Sequence, residues 1–193
     1  MVGLVEQLQL DAIDPAVPAS TLLRKAKVAA AKLGLDDALS WVEGELSGYK
    51  SIKSLPDYRK GYSETVGFNP YHGWQPVHFS DPETSKLIGS IALFEPVASY
   101  EALLDSGEGP FRLPLSAEMV SLLNETFSFD VPRVANNVPR GFLVNVVQQV
   151  RDRVLNWSLE LERAGITGEG LSFSREEKMK ASTSQISIGT FHG

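Results

Sequence analysis

The chain has 193 residues, of which 42% are hydrophobic and 22% are charged, with a formal net charge of −6 and no cysteine. This composition is that of a globular protein, and it excludes disulfides, thiolate metal sites and a cysteine nucleophile. The chain contains no run of about 20 apolar residues, so we expect no membrane span. Its acidic, weakly apolar N-terminus does not resemble a signal peptide, and we expect a cytoplasmic protein.

The first 50 residues predict three short helices. Apolar residues recur along residues 3–12, and the following "DPAVP" interrupts that pattern because proline removes a backbone donor. A second helix is predicted from Ser20, which suits the N-cap position, to Gly34, which suits the C-terminal cap. Asp36 is expected to cap a third helix that ends at Gly48. Since only a few residues join the second and third helices, we expect them to form a hairpin.

The region from Leu55 to Pro114 is richer in proline, glycine and aromatic residues. The segments "YRKGYSETVGF" and "GWQPVHF" alternate in the manner of strands, and "NPYHG" between them has the composition of a turn. We expect two short helices to follow, at "ETSKLIGSIALF" and "VASYEALLDSG".

A long helix is predicted at about residues 139–164, beginning near Pro139 and stopping at Gly165. Its apolar stripe has spacings of four, three, four, three and four. The stripe consists of Leu143, Val147, Val150, Val154, Trp157 and Leu161. Such a face must be covered, and we interpret it as a central core helix, with a dimeric coiled coil as the alternative.

The last part of the chain predicts a capped helix and then a tail. Ser174 and Glu177 have the spacing of a capping box. Residues 182–193 are expected to be a strand-like tail, or a linker to a further module, that extends away from a domain formed by residues 1–181. In that interpretation the tail supports self-association by strand pairing. Its apolar residues are Ile186, Ile188 and Phe191.

Together these elements predict a mainly α fold. It is a helical bundle around the long helix, with a small β element in the middle region that places it at the margin of α+β.

The sequence gives no strong sign of a catalytic or metal site. His72 and His78 precede Asp81 and Glu83, but their spacing matches no known ligand pattern, so we predict neither a metal nor another cofactor. The chain has no G-x-S-x-G elbow and no phosphate-binding loop.

Nucleic acid is not an expected partner, because a net charge of −6 repels a phosphate backbone. The basic run formed by Arg24, Lys25, Lys27 and Lys32 lies on a predicted helix and is interpreted as a solvated face.

The stretch from Trp41 to Arg59 holds the most unusual mixture of residues. Trp41, Glu45 and Tyr49 fall near one side of the third helix, and Tyr58 and Arg59 arrive after a turn. Arg59 is therefore expected to reach Glu45 or Glu43 beneath aromatic rings. We interpret the group as a structural clamp, with a partner-binding patch and an enzyme site as alternatives, since tryptophan, tyrosine and arginine are favoured at interfaces.

A second candidate patch lies in the predicted turn, where His72 and Trp74 are close in sequence. These two residues are candidates for binding a partner.

Three segments resemble the AbiTii domain family. They are "LLRKAKVAAAKLGLDDALSWVEGELSGY", "LPDYRKGYS" and "VVQQVRDRVLNWSLELERAGITGEGLSFSREEK". The resemblance covers roughly residues 3–181. It implies a role in bacterial conflict with phage, in particular abortive infection, and it carries over no catalytic residue.

The leading functional hypothesis is a non-enzymatic interaction or oligomerisation module of an anti-phage defence protein, with a protein partner or self-association. The alternatives are an effector enzyme, either a nuclease or a nucleotide hydrolase, and a sensor domain that binds a phage component.

Overall fold

The structure is a computed structural model that describes residues 2–107, 109–126, 131–184, 186 and 188. The helices are, in chain order, α1 (Leu4–Ile13), α2 (Ala19–Leu33), α3 (Asp36–Ser47), α4 (Pro82–Ile88), α5 (Val97–Asp105), α6 (Ala117–Thr126), α7 (Arg140–Arg163) and α8 (Arg175–Thr183). The strands are β1 (Lys60–Tyr62), β2 (Glu64–Asn69), β3 (Gly73–Pro76), β4 (Ser90–Ala92), β5 (Phe111–Pro114) and β6 (Val134–Val138). The predicted mainly α fold with a small β part is confirmed.

Helix α7 is the central element of the molecule. Its apolar stripe is buried within the chain: Val150, Val154, Trp157 and Leu161 are inaccessible to solvent, and Leu143 is nearly so. The helix packs against α1, α2 and α5. The interpretation as a core helix is therefore confirmed, and the hydrophobic effect of burying this face is the main force that assembles the helical layer.

The N-terminal helices pack closely because the side chains on their contact faces are small. Ala26, Ala29 and Ala30 are fully buried on α2, and α2 packs along α3. Gly34 ends α2 with φ of 70°, as predicted, in the left-handed conformation that glycine adopts without a steric cost.

The predicted N-caps of α2 and α3 are wrong. Helix α2 begins at Ala19, and its first N–H groups donate to the Glu101 carboxylate of α5, from Ala19 N at 2.5 Å and from Ser20 N at 3.3 Å. A distant carboxylate thus replaces the local hydroxyl as the cap. Leu35 holds the N-cap position of α3, so Asp36 is the first helical residue.

The middle region forms two antiparallel sheets. Strands β1 and β4 pair with each other, and the second sheet has the strand order β3-β2-β6-β5. The predicted hairpin of β2 and β3 is present. The helix predicted over 83–94 ends at Ile88, and β4 follows, because Gly89 lies against the backbone of Ser63, whose N–H donates to the Gly89 carbonyl at 2.9 Å.

The structure also adds β5, α6 and β6, which the sequence patterns did not predict. The sequence of β6, "VANNV", is unusual for an inner strand because Asn136 is buried. The side chain of Asn136 is satisfied across the sheet: it accepts from Thr65 Oγ1 at 3.0 Å and donates to the Ile88 carbonyl at 2.8 Å. Buried amides are stable only with such partners.

The expectation that the tail extends away is wrong for the two of its apolar residues that are described. Ile188 is 0% exposed and belongs to the main core, and Ile186 packs against that core. Burial of these side chains outweighs the low apolar content of the segment around them. Phe191 lies outside the described residues.

Arg151 joins the centre of α7 to the end of α1. Its guanidinium is buried and donates to the carbonyls of Asp11, Ala12, Asp14 and Val17 at 2.5–3.0 Å. The last carbonyls of a helix have no partner within the helix and carry partial negative charge. Arg151 therefore caps α1 from another element.

Replacing Arg151 with methionine is expected to lower the free energy of unfolding by about 3 kcal/mol, because several buried carbonyls lose a charged donor. Chemical denaturation followed by circular dichroism measures the change. Arg163→Met, on the exposed end of the same helix, is the matched control and should stay within about 0.5 kcal/mol of the parent. Equal effects of the two substitutions would contradict the capping role.

Candidate functional site

Glu45 of α3 and Arg59, in a single 3₁₀ turn (Asp57–Arg59), form an ion pair in the interior. Both side chains are 0% exposed. Arg59 Nη2 donates to Glu45 Oε2 at 2.5 Å, and Arg59 Nε donates to Glu45 Oε1 at 3.0 Å. This two-point geometry fits the planar guanidinium to the carboxylate, and the pair offsets the desolvation of each charge.

Two tyrosine hydroxyls also donate to the Glu45 carboxylate. Glu45 Oε1 accepts from Tyr49 Oη at 2.7 Å and from Tyr58 Oη at 2.6 Å. Trp41 Nε1 donates in turn to Tyr58 Oη at 3.0 Å. The structure thus brings together the five residues of the Trp41–Arg59 stretch that the sequence singled out, and Glu43 lies outside this network on the exposed face of α3.

The other edge of Arg59 binds backbone from the β4–α5 connection. Arg59 Nη1 donates to the carbonyls of Leu93, at 3.0 Å, and Glu95, at 2.8 Å. Tyr100 of α5 accepts from Glu95 N at 3.0 Å, and its ring centroid lies 5.4 Å from Arg59 Cζ. One guanidinium therefore links α3, the 3₁₀ turn and the start of α5.

Burial keeps the phenols of this network protonated. Burial, and next the charge of Glu45, raises the pKa of Tyr49 and of Tyr58 well above the ordinary value for tyrosine. Burial also raises the pKa of Tyr100 to about 12. For Arg59 burial alone would lower the pKa, but the hydrogen bond and charge of Glu45 outweigh it and the pKa is raised. At neutral pH the network holds its protons fixed as hydrogen-bond donors.

The two remaining candidate residues lie elsewhere. His72 is exposed in the β2–β3 turn, and Trp74 is half-buried on β3. Trp74 packs edge-on against Phe68, with ring centroids 5.5 Å apart. Arg112 and Arg133 complete this second group, which we call the Trp74 surface and define as Phe68, Trp74, Arg112 and Arg133.

The strand registers place the Trp74 surface on one face of the four-stranded sheet. Phe68 pairs with Trp74 across β2 and β3, and its N–H donates to the Arg133 carbonyl at 2.8 Å. Arg112 pairs with Asn137, four residues after Arg133. Because side chains alternate between faces, these residues share a face.

A cavity of about 700 Å³ opens beside the Trp74 surface, between the sheet and α6. Its walls mix apolar and polar groups. The lining residues are Trp74, Arg112, Pro114, Leu115, Ala117, Val120, Ser121, Asn124, Pro132, Arg133, Val134 and Ala135. Sequence analysis missed Arg112 and Arg133; the only signal was the alternation of "FRLP", which is too short to identify a strand.

The glycine-rich segment after α7 is held by Glu177. Its Oε1 accepts from the backbone N–H groups of Thr167 and Gly168, and its Oε2 accepts from Ser174 N, at 2.7–2.9 Å. Partial burial alone would raise the pKa of this carboxyl, but the backbone donors outweigh it and lower the pKa to about 2. The predicted capping box of Ser174 and Glu177 is confirmed. Thr167 also accepts from Val5 N at 3.3 Å, which joins this loop to α1.

The described residues contain neither a metal-ligand cluster nor a helix that could span a membrane. No group of three or more histidine, aspartate or glutamate side chains in that part of the chain is arranged to hold a metal ion. Within the same residues, no helix combines the length and the apolar character that crossing a bilayer requires.

The fold is an α-rich domain with a small antiparallel β part. Its buried ion pair is hydrogen-bonded internally, and its Trp74 surface borders an open cavity. The chain belongs to the AbiTii family, whose model matches residues 3–186. Membership of this family suggests a role in bacterial abortive-infection defence. No curated protein and no solved structure matches the chain.

Glu45→Gln is expected to lower the free energy of unfolding by about 3–5 kcal/mol, because it leaves the buried charge of Arg59 without its counter-ion. Glu43→Gln is the matched control on the same helix. Glu43 forms an exposed ion pair with Lys27 at 3.0 Å, which contributes about 0–1 kcal/mol. Urea denaturation at neutral pH compares the two variants, and a Glu45→Gln protein as stable as the control would show that the pair does not hold the fold.

Glu177→Gln is expected to destabilise the protein at neutral pH by an amount that disappears in acid. The folded-state pKa of about 2 lies below the ordinary value of 4.5, so the carboxylate stabilises the fold above about pH 4.5 and loses this effect as the pH falls toward 2. Denaturation at a series of pH values measures the difference between parent and variant. The control is Glu176→Gln, which removes only an exposed ion pair with Lys180; a parent–variant difference for Glu177→Gln that is constant from pH 5 to pH 2 would contradict the assignment.

Proposed function

We propose that this chain is a non-enzymatic interaction module of a bacterial abortive-infection defence protein, and that the Trp74 surface is its binding surface. The observation that carries the proposal is the contrast between two clusters that each combine arginine with aromatic side chains. One is buried and internally satisfied, whereas the other lies open beside a cavity.

The buried cluster is better suited to holding the fold than to chemistry. The Glu45 carboxylate accepts four hydrogen bonds from Arg59, Tyr49 and Tyr58. A general base needs a free lone pair directed at a substrate proton, and these oxygens already face internal donors in a site closed to solvent. This geometry supports a structural role for the cluster.

The Trp74 surface has the composition of a recognition site. Tryptophan and arginine are the residue types that dominate binding energy at interfaces, and here Cζ of Arg112 and of Arg133 lie 5.2 and 5.7 Å from the ring centroid of Trp74. The adjacent turn adds Tyr71, which is 91% exposed, and the exposed His72. A sensor role through the turn containing His72 and Trp74 is thus a specific form of this proposal.

Self-association through residues 182–193 stays a prediction. Because Ile188 is buried in its own domain and Ile186 packs beside it, strand pairing by these residues would first require their release from the core. The packing therefore favours the Trp74 surface over the tail as the primary site of interaction.

Trp74→Ala and Arg112→Ala are expected to abolish protection in a phage challenge of bacteria that express the full defence protein, while leaving its folding unchanged. Loss of a hot-spot side chain weakens binding by about 2 kcal/mol, or roughly thirtyfold. Tyr62→Ala and Arg24→Ala remove an exposed aromatic and an exposed arginine at other sites, and they should protect like the parent.

Denaturation curves of the purified variants establish that the Trp74 surface variants remain folded. Arg112 is exposed, so its variant tests binding even if Trp74→Ala lowers stability. Two results would overturn the proposal. One is full protection by Arg112→Ala and by Trp74→Ala when each variant is folded. The other is that the purified domain turns over a substrate and that protection requires this turnover.

A further inference from the structure

We infer that the cavity beside Trp74 binds a small ligand of the nucleotide class, with a phosphate group and a planar ring. The inference rests on the proposed function, because it assigns a ligand class to the same surface.

The first observation is local positive charge that no carboxylate of the described residues pairs with. Arg112 and Arg133 both line the cavity and are exposed. Neither forms an ion pair with any carboxylate in the described part of the chain. Since the whole chain carries a net charge of −6, two arginines at one cavity with no carboxylate partner among the described residues mark a local preference for an anion.

The second observation is that aromatic rings hold both guanidinium groups in place. Arg133 Cζ lies 3.9 Å from the ring centroid of Phe68 and 5.7 Å from that of Trp74. Arg112 Cζ lies 5.2 Å from the Trp74 centroid. A guanidinium that contacts a ring face keeps its N–H groups available at the edge, where they match the oxygens of a phosphate two at a time.

The third observation is the composition of the remaining walls. Pro114, Leu115 and Val120 supply apolar surface, and Ser121 supplies an exposed hydroxyl. A volume of about 700 Å³ lies in the range of small-molecule sites. Arginine planes and tryptophan also provide flat surfaces on which a nucleobase stacks.

These three features together favour a nucleotide over an acidic peptide. Two arginines oriented by rings fit a compact phosphate, whereas carboxylates spaced along a peptide would need basic residues spaced in the same way. The cavity is bounded by the sheet on one side and by α6 on the other. Its two facing walls favour a free nucleotide over a continuous single strand of nucleic acid, which requires a groove that tracks its backbone.

Isothermal titration calorimetry on the purified full chain tests the inference with AMP, GMP, CMP and UMP as probes. Adenosine provides the ring without phosphate, and ribose 5-phosphate provides the phosphate without the ring. At least one mononucleotide should bind about tenfold or more tightly than either fragment, and its affinity should fall as the salt concentration rises.

The variants locate the site. Arg112→Ala and Arg133→Ala should each weaken mononucleotide binding by about tenfold, and Trp74→Ala should weaken it by a similar factor. Arg24→Ala, which removes an exposed arginine on α2, should leave the affinity within about twofold of the parent. Tryptophan fluorescence gives a second readout, because Trp41 and Trp157 are buried and Trp74 is the most accessible of the three.

Several results would overturn the inference: no binding of any mononucleotide at millimolar concentration, equal binding of adenosine and AMP, or equal losses in Arg24→Ala and Arg112→Ala. Binding of a ten-nucleotide single strand without binding of mononucleotides would assign the surface to nucleic acid instead. If the Trp74 surface variants abolish phage protection but no nucleotide binds, the proposed function stands and only the ligand class is wrong. If nucleotides bind but the Trp74 surface variants still protect against phage like the parent, the proposed function fails.

Discussion

The buried pair of Glu45 and Arg59 is the interaction on which the arrangement of the domain depends. A charge taken out of water is costly, and it persists in an interior only when its partners are complete. Here two tyrosine hydroxyls complete the carboxylate, and two backbone carbonyls complete one nitrogen of the guanidinium. The middle region has hydrophobic clusters of its own, and one of them packs against α7. The directional bonds of the ion pair add a fixed orientation between this region and α3. Burial of apolar side chains along α7 stabilises the domain, whereas the hydrogen bonds of the ion pair fix how its elements are oriented.

Elements set by nearby residues were predicted from the sequence, and elements set by distant residues were not. The apolar spacing of α7, the glycine at the end of α2 and the capping box of α8 are all local patterns. By contrast, α2 is capped by Glu101, and β6 carries a buried Asn136 whose partners are some 50 to 70 residues away. A short polar strand of this kind has no local signature. The burial of Ile188 likewise depends on a core built by other elements.

The same distinction applies to the site. Trp41 to Arg59 are close enough in sequence for a turn to bring them together, so their proximity was predictable from helical spacing and one proline. Arg112 and Arg133 lie on either side of α6 and meet Trp74 only through the register of the four-stranded sheet. The result is two clusters of similar composition with opposite exposure. Residue type alone therefore does not separate the buried cluster from the proposed binding surface; the two differ in solvent access.

The link between Arg151 and the end of α1 has a consequence for synthesis on the ribosome. Helix α1 has ten residues, which is too few for a stable isolated helix in water. Its apolar side chains face α7, and the guanidinium that completes its carbonyls is encoded about 140 positions later. Helix α1 thus leaves the exit tunnel well before α7 but becomes ordered only after α7 has emerged. Until α7 emerges, the nascent chain presents Leu4, Val5 and Leu8 as a site for chaperones, and translation that stops early leaves a product open to proteolysis.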